Sequence, residues 1–172
     1  MTATPDIPAH LAGRPRSGGL VVPWITPAAP GGRYLFGTVT GLVQYQCLLR
    51  RLCQVCGWRL GARAVLFARE SDLVHQCTAE PAVCPPCAAY SRRACPMLAG
   101  RRHQYRASDH PALAGLPAAP DRLLRQAAPA EPWYAVWIRS FDVIDHPAQP
   151  GTLAASWQRM PPLRVRPLPA TA

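Results

Sequence analysis

Two Cys-x-x-Cys pairs constrain this chain more than any other feature of its sequence. Cys53 and Cys56 form the first pair, and Cys84 and Cys87 form the second. Thiol pairs at this spacing, each carried by a tight turn or by the start of a helix, are typical of a tetrahedral zinc site. The stretch between the pairs is long enough for a short hairpin to bring them together. The sequence therefore predicts a structural Zn²⁺ centre with four cysteine ligands.

The residues beside the two pairs predict two different local structures. Gly57 follows the first pair and gives a turn the backbone freedom to direct its amides toward sulfur, as in a zinc knuckle. The second pair is expected to begin a helix over residues 85–95, with Cys84 at its cap. Pro85 suits the first helical position, where a missing N–H costs nothing. Pro96 is expected to end this helix, because the residue before a proline is displaced from the α region.

Between the pairs, the sequence predicts a hairpin. Its strands are expected at residues 62–69 and 73–79, joined by a turn at residues 70–72. A knuckle followed by a hairpin and then by a helix that carries the last two ligands resembles the order of a treble-clef zinc finger. We therefore predict a treble-clef-like finger over residues 52–96.

Three phrases of the sequence resemble those of one group of proteins. They are LCQVCG at residues 52–57, EPAVCPPCAAYSRRACP at residues 80–96 and GTLAASWQRMPPLRVRPL at residues 151–168. The chain resembles small, uncharacterised treble-clef-like zinc-finger proteins with four cysteine ligands, from high-GC actinobacteria and their phages, over most of residues 20–168. This resemblance implies a zinc finger and no particular activity.

Alternative chemistries are open to a chain with seven cysteines. Cysteine is among the most buried residue types, so scattered core thiols and disulfides are both alternatives. A redox Cys-x-x-Cys motif needs only one pair, but the βαβ pattern that accompanies it is not evident. No membrane-spanning run and no signal-peptide core are evident either, which predicts a cytoplasmic protein. Thiols stay reduced in that compartment, and this favours metal binding.

The remaining patterns predict an α+β fold. Apolar residues at helical spacing predict a helix over residues 41–52, which leads into the knuckle. Residues 133–144 are dense in aromatic and β-branched side chains and predict a strand. Further strands are expected at residues 152–157 and 163–166. We therefore expect a small antiparallel sheet at residues 132–168, packed beside the finger.

Outside these elements, the sequence predicts irregular structure. Residues 1–19 are poor in large apolar side chains and are expected to form a disordered tail. Glycine and proline are frequent in residues 99–120, which predicts a loop. Asp121 then caps one or two expected helical turns that reach Gln126. A single zinc-binding domain is therefore expected over residues 20–168.

The chain carries a formal net charge of +10 at pH 7, and its 19 strongly basic residues are all arginine. Lysine and asparagine, which have AT-rich codons, are absent. This absence indicates a GC-rich genome rather than selection for guanidinium chemistry. The positive field would still attract nucleic acid. The densest cluster is expected on the outer side of the finger helix and just beyond its end, either as a phosphate-binding surface or as a solvated face: Arg92, Arg93, Arg101, Arg102 and Arg106.

These patterns predict a non-enzymatic structural-zinc protein that binds nucleic acid or acts as a regulatory factor. Four cysteine ligands leave no position for a substrate, and no small-molecule substrate is evident. The alternative is a zinc-stabilised protein–protein interaction module, whose adhesive surface would include Trp133, Trp137 and Trp157. A degenerate His-Asn-His-type nuclease is more distant, because the chain lacks asparagine and only His75 could act as its base.

The other thiols and histidines are less suited to bind the ion than the two Cys-x-x-Cys pairs. Cys95 lies too far along the predicted helix and is expected in the core. His75 and Cys77 are expected to share one face of a strand, either as a packed pair or as alternative ligands. Cys47 has no evident role. The remaining histidines are expected at the surface: His10, His110 and His146.

Overall fold

The structure is a computed structural model that describes residues 5–29, 31–107 and 125–168. Its fold is α+β, as predicted, with short helices interspersed among strands that pair antiparallel. No helix in these ranges is long and apolar enough to cross a membrane. The elements are a 3-10 helix (Ala9–Leu11), β1 (Arg16–Ser17), β2 (Leu20–Val21), α1 (Gly41–Arg50), β3 (Ala64–Arg69), α2 (Glu70–His75), β4 (Cys77–Thr78), α3 (Pro85–Ala94), β5 (Trp133–Ile138), β6 (Asp142–Asp145), β7 (Leu153–Ser156) and β8 (Arg164–Pro167).

Strand β3 is the longest fully buried strand in the described part of the chain. All six of its residues are buried, which is typical of a short apolar run covered on both faces. It pairs with β5 along its whole length, from Ala64 opposite Ile138 to Arg69 opposite Trp133. Strand β8 pairs with the other side of β5 and completes a three-stranded sheet of order β3-β5-β8. The predicted buried strand is therefore confirmed.

The side chains of β3 and β5 alternate between two apolar cores, because successive side chains of a strand point to opposite faces. Val65 and Phe67 lie in what we call the thiol-side core, together with Trp133 of β5. Leu66 and Val136 lie in the opposite one, the sheet-side core. The thiol-side core also holds Leu11, Val21, Cys53, Cys56, Val83, Cys87 and Tyr90, and the sheet-side core holds Leu48, Ile138, Phe141, Ala155 and Trp157.

The predicted hairpin of residues 62–69 and 73–79 is wrong. A short helix, α2, replaces its turn, and β4 pairs with β7 in the second sheet rather than with β3. The buried Asp72 carboxylate accepts hydrogen bonds from the Arg69 backbone N–H at 3.0 Å and from the Thr78 hydroxyl at 2.9 Å. The first of these bonds satisfies the N–H of the residue that caps α2 and favours a helix there. The structure therefore does not confirm a treble-clef topology.

The C-terminal strands occur near their predicted positions but belong to two sheets. The predicted strand at residues 133–144 divides into β5 and β6, and Phe141 enters the sheet-side core between them. Strands β6 and β7 join β4 in a sheet of order β4-β7-β6, whereas β8 joins β5. The expected single sheet beside the finger is therefore wrong, because β3 of the finger region is itself a strand of one sheet.

Residues 5–19 of the predicted disordered tail are packed against the thiol-side core. Leu11 is fully buried there. Strands β1 and β2 pair with each other, and the Arg14 guanidinium donates to the Val22 carbonyl at 3.1 Å. The Tyr90 hydroxyl accepts a hydrogen bond from the Val21 N–H at 2.8 Å. The expectation of disorder is therefore wrong for these residues, since one buried leucine and several backbone contacts attach them.

The two predicted longer helices are confirmed. Helix α1 ends at Arg50 because Arg51 adopts a left-handed conformation, with φ of 53°. Helix α3 ends at Ala94, and Cys95 before Pro96 is extended, as expected for a residue that precedes proline. The predicted loop beyond residue 107 and the helical turns from Asp121 lie largely outside the described residues.

Candidate metal centre

The first thiol pair lies in a tight turn. The Gly57 N–H donates to the Cys53 carbonyl and the Cys53 N–H donates to the Trp58 carbonyl, each at 2.8 Å. Gly57 has φ of +80°, and a Cβ there would lie 2.6 Å from Cδ1 of Trp24. Backbone conformation and packing therefore both require glycine at this position. The predicted knuckle turn is confirmed.

The second pair begins α3 as predicted. Cys84 is the N-cap residue, proline follows it, and Cys87 lies in the first turn. Val83 exchanges two backbone hydrogen bonds of 2.9 Å with Val65, so β3 fixes the position at which the helix starts. The Cys84 N–H points to Sγ of Cys53 at 3.4 Å. Strand β3 thereby places the second pair opposite the first.

The four sulfur atoms lie within 4.8 Å of one another. Tetrahedral zinc with bonds of about 2.3 Å places its sulfur ligands roughly 3.8 Å apart, so small side-chain adjustments suffice to complete a site. All seven cysteines of the chain are free thiols, which contradicts the disulfide alternative. The prediction that the two pairs converge is confirmed, and together they form a candidate metal centre: Cys53, Cys56, Cys84 and Cys87.

Hydrogen bonds among the four thiols favour negative charge on the sulfur of Cys53. The pKa of Cys53 is lowered to about 2, because the thiols of Cys84 and Cys87 donate hydrogen bonds to its sulfur. Because Cys84 and Cys87 are the donors in these hydrogen bonds, the pKa of Cys84 is raised to about 12 and that of Cys87 is also raised. Burial raises the pKa of Cys56. A divalent cation is what would deprotonate all four sulfurs together, since metal binding displaces thiol protons.

His10 lies at the candidate metal centre, although the sequence placed it in a disordered tail. Its Nε2 is 3.2 Å from Sγ of Cys87, and its ring contacts that of Trp58 at 6.3 Å between centroids. A neutral imidazole protonated at Nε2 would donate to a Cys87 thiolate, as residues around metal ligands commonly do. The two residues are 77 positions apart, so no local pattern could have linked them.

The remaining thiols lie outside the cluster. Burial raises the pKa of Cys47 to about 12 and that of Cys77 to about 11. Cys47 is 1% exposed on α1, so it does have a place in the packing. Burial also raises the pKa of Cys95, which is half-buried after α3. All three therefore stay protonated near neutral pH, and none is placed as a ligand.

Two of the other histidine predictions are wrong. His75 belongs to α2 rather than to a strand, so it shares no strand face with Cys77. His146 is buried rather than exposed, and its ring meets that of His75 edge to face at 5.7 Å. His110 lies outside the described residues. Neither His75 nor His146 is brought to the four-thiol cluster.

The five arginines predicted to bind nucleic acid are all exposed. Buried Cys87 and Tyr90 face the protein interior, so Arg92 and Arg93 lie on the outer side of α3 as predicted. The Arg101 guanidinium donates to the last carbonyls of α3, that of Arg93 at 3.0 Å and that of Ala94 at 3.1 Å. The cluster therefore includes one arginine that also caps the helix.

The tryptophans predicted to form an adhesive surface do not form one. Trp133 and Trp157 are 9% and 4% exposed and lie in the two cores. Trp137 is half-buried against the thiol-side core. The protein-interaction alternative depended on an exposed surface formed by these tryptophans, and their burial leaves it without that support.

No protein-family model, curated protein or solved structure matches the chain. The resemblance to actinobacterial and phage zinc-finger proteins therefore stays a prediction. The chemistry of the centre follows from its own residues, which are four convergent thiols and a nearby imidazole.

Proposed function

We propose that the protein is a structural-zinc protein in which Cys53, Cys56, Cys84 and Cys87 bind one Zn²⁺. The observation that carries this proposal is the approach of their four sulfurs to within 4.8 Å. Four thiolates suit the soft, tetrahedral coordination of zinc and close it against substrate, so the ion would be structural rather than catalytic. It would join the knuckle to the start of α3 and so hold one side of the thiol-side core together.

Elemental analysis of the purified full-length chain tests the metal. We expect about one zinc per chain, and a loss of most of it in Cys53→Ser and Cys84→Ser. Cys95→Ser is the matched control, because Cys95 is a half-buried thiol outside the cluster, and it should keep its zinc. Iron in place of zinc would reject the identity of the ion, since sulfur-only tetrahedral sites also suit iron. Full zinc content in both ligand variants would reject the site.

We further propose that the zinc-supported surface around the end of α3 binds nucleic acid. Its support is the grouping of exposed arginines on and just after this helix: Arg92, Arg93, Arg101, Arg102 and Arg106. Arginine pairs with phosphate through two parallel hydrogen bonds, and a cluster of arginines releases the counterions of a polyanion. A regulatory role would follow from such binding.

Salt-dependent binding to duplex DNA and to single-stranded RNA tests this surface. If all five arginines contact duplex phosphates, log K should fall against log salt with a slope of about −4.5. The double variant Arg92→Gln/Arg93→Gln should make this slope less negative by about 2. Arg164→Gln/Arg166→Gln removes the same charge from exposed positions of β8 and is the matched control. Equal losses in both variants, or no binding at low salt, would reject the proposed surface.

A further inference from the structure

A cavity of about 390 Å³ lies between the N-terminal segment, α3 and the β3–β5 pair. Sites for small molecules commonly have volumes of about 300–1,000 Å³ and walls that are mainly apolar. This cavity has both properties and lies apart from the four sulfur atoms. Among the residues that line it are Ile25, Val55, Phe67, Val83 and Leu98, all of them buried.

Two polar atoms belonging to residues of the cavity wall have no hydrogen-bond partner within the described part of the chain. They are Nε1 of Trp133 and the hydroxyl of Tyr105, and both atoms are buried. The indole N–H can only donate, and a buried donor without an acceptor costs free energy. Burial raises the pKa of Tyr105 to about 12, so its hydroxyl keeps its proton and can donate as well. Both groups could donate to a ligand that brings acceptor atoms, once the two side chains turn and bring these buried atoms to the cavity surface.

The charged groups along the cavity wall also favour an anionic ligand. Arg102 and Arg106 line the cavity and are exposed. The Glu80 carboxylate forms a salt bridge of 3.1 Å with the Arg125 guanidinium. The Arg69 guanidinium lies 3.9 Å from the same carboxylate. The negative charge of Glu80 is therefore already balanced by arginine. The field of the cavity is positive on the side of Arg102 and Arg106.

We propose that this cavity binds a small amphiphilic anion. The apolar body of the ligand would occupy the interior, and its carboxylate or phosphate group would meet Arg102 and Arg106. Acceptor atoms of the ligand would satisfy Trp133 and Tyr105 after a turn of these two side chains toward the cavity. This inference uses no residue of the thiol cluster and so is independent of the zinc proposal. It shares Arg102 and Arg106 with the proposed nucleic-acid surface, but Trp133, Tyr105 and the apolar interior belong to the cavity proposal alone.

Calorimetric titration of the full-length protein, purified with its metal, tests the ligand class with four probes of equal chain length. Decanoate and decyl phosphate carry an anion, decan-1-ol is neutral and decylammonium is a cation. We expect at least one anion to bind at a single site and decan-1-ol to bind about tenfold more weakly, because charge-assisted hydrogen bonds are lost. Decylammonium should bind most weakly. Equal affinity for the alcohol and the anions, or no binding of any probe, would overturn the proposal.

Variants of the cavity wall separate recognition from structural support. Tyr105→Phe and Trp133→Phe should each weaken binding of the preferred anion about threefold to tenfold, the size expected for one lost hydrogen bond. Tyr105→Phe should leave the melting temperature unchanged or raise it, since it removes a buried hydroxyl that has no partner. Unchanged affinity in both variants would refute the roles of Trp133 and Tyr105.

The rim arginines have a matched control. Arg102→Gln/Arg106→Gln should weaken binding of the anions and leave that of decan-1-ol nearly unchanged. Arg164→Gln/Arg166→Gln removes the same charge at β8 and should alter neither. Ser91→Phe places a ring at a half-buried position of the wall and should abolish binding of every probe by occupying the space. An equal effect of the two arginine pairs would attribute binding to net charge and contradict the site.

Discussion

The two faces of the β3–β5 pair are stabilised in different ways. On the sheet-side core, regular strands supply large, fully buried side chains such as Leu66, Val136 and Ile138. On the thiol-side core, the partners are a knuckle, a short N-terminal segment and one helix, and a cavity of about 390 Å³ lies among them. Close packing is enough to stabilise the face on which the chain forms a sheet. The irregular segments of the thiol-side core need a cross-link as well, and four thiols that bind a metal can provide one.

Metal removal should give the largest effect, and it should destabilise the thiol side more than the sheet side. Coordination of zinc contributes on the order of 10–16 kcal/mol of apparent folding free energy in finger peptides, so chelation should unfold at least the thiol side. Hydrogen exchange measures this residue by residue. We expect the amides of Gly57 and Cys84 to lose protection and those of β6 and β7 to lose much less. A uniform loss would show that both faces unfold as one cooperative unit.

Phe141→Ala should weaken the sheet side without affecting the metal. Phe141 is 1% exposed and the Arg51 guanidinium lies 4.5 Å from its ring centroid, so truncation leaves a cavity. We expect the free energy of unfolding of the metal-bound protein to fall by about 3–5 kcal/mol, measured by urea denaturation. Phe141→Leu should cost less. Loss of metal from the folded Phe141→Ala variant would show that the two faces are not stabilised separately.

Gly57→Ala should weaken the thiol side at one point. The left-handed conformation costs an alanine roughly 1–2 kcal/mol, and Trp24 must also move. We expect lower thermal stability and weaker retention of metal in competition with a chelator. Gly61→Ala is the matched control, because Gly61 has no atom within 4 Å of its Cβ position and no left-handed backbone. Equal behaviour of the two variants would argue against the strained turn.

His10→Ala should have the smallest effect, about tenfold in metal affinity, as expected for a residue that hydrogen-bonds a ligand. The structural reason is the 3.2 Å contact between Nε2 and Sγ of Cys87. A cobalt-substituted protein should also show a shifted sulfur-to-metal charge-transfer band. Exposed His103 provides the control, and His103→Ala should alter neither reading. An unshifted band with unchanged affinity would show that His10 only packs beside the centre.

The sequence predicted what depends on local pattern. Thiol spacing, Gly57 and the proline after Cys84 were sufficient to predict the knuckle, the start of α3 and their convergence. The predicted hairpin is wrong because the Asp72 carboxylate accepts a bond from the Arg69 N–H at the start of α2, and alternation alone cannot show that preference. Pairing partners such as β3 with β5 were missed for a further reason, since they depend on contacts between distant segments.

The position of β3 has a consequence for protein synthesis. All four thiols have been made once residue 87 has been added, whereas the strand that covers β3 begins only at Trp133. If the four thiols bind the proposed ion, a growing chain can capture it on the ribosome while the edge of β3 is still bare. With or without a bound ion, the edge of β3 stays open to pairing with neighbouring nascent chains until β5 is made.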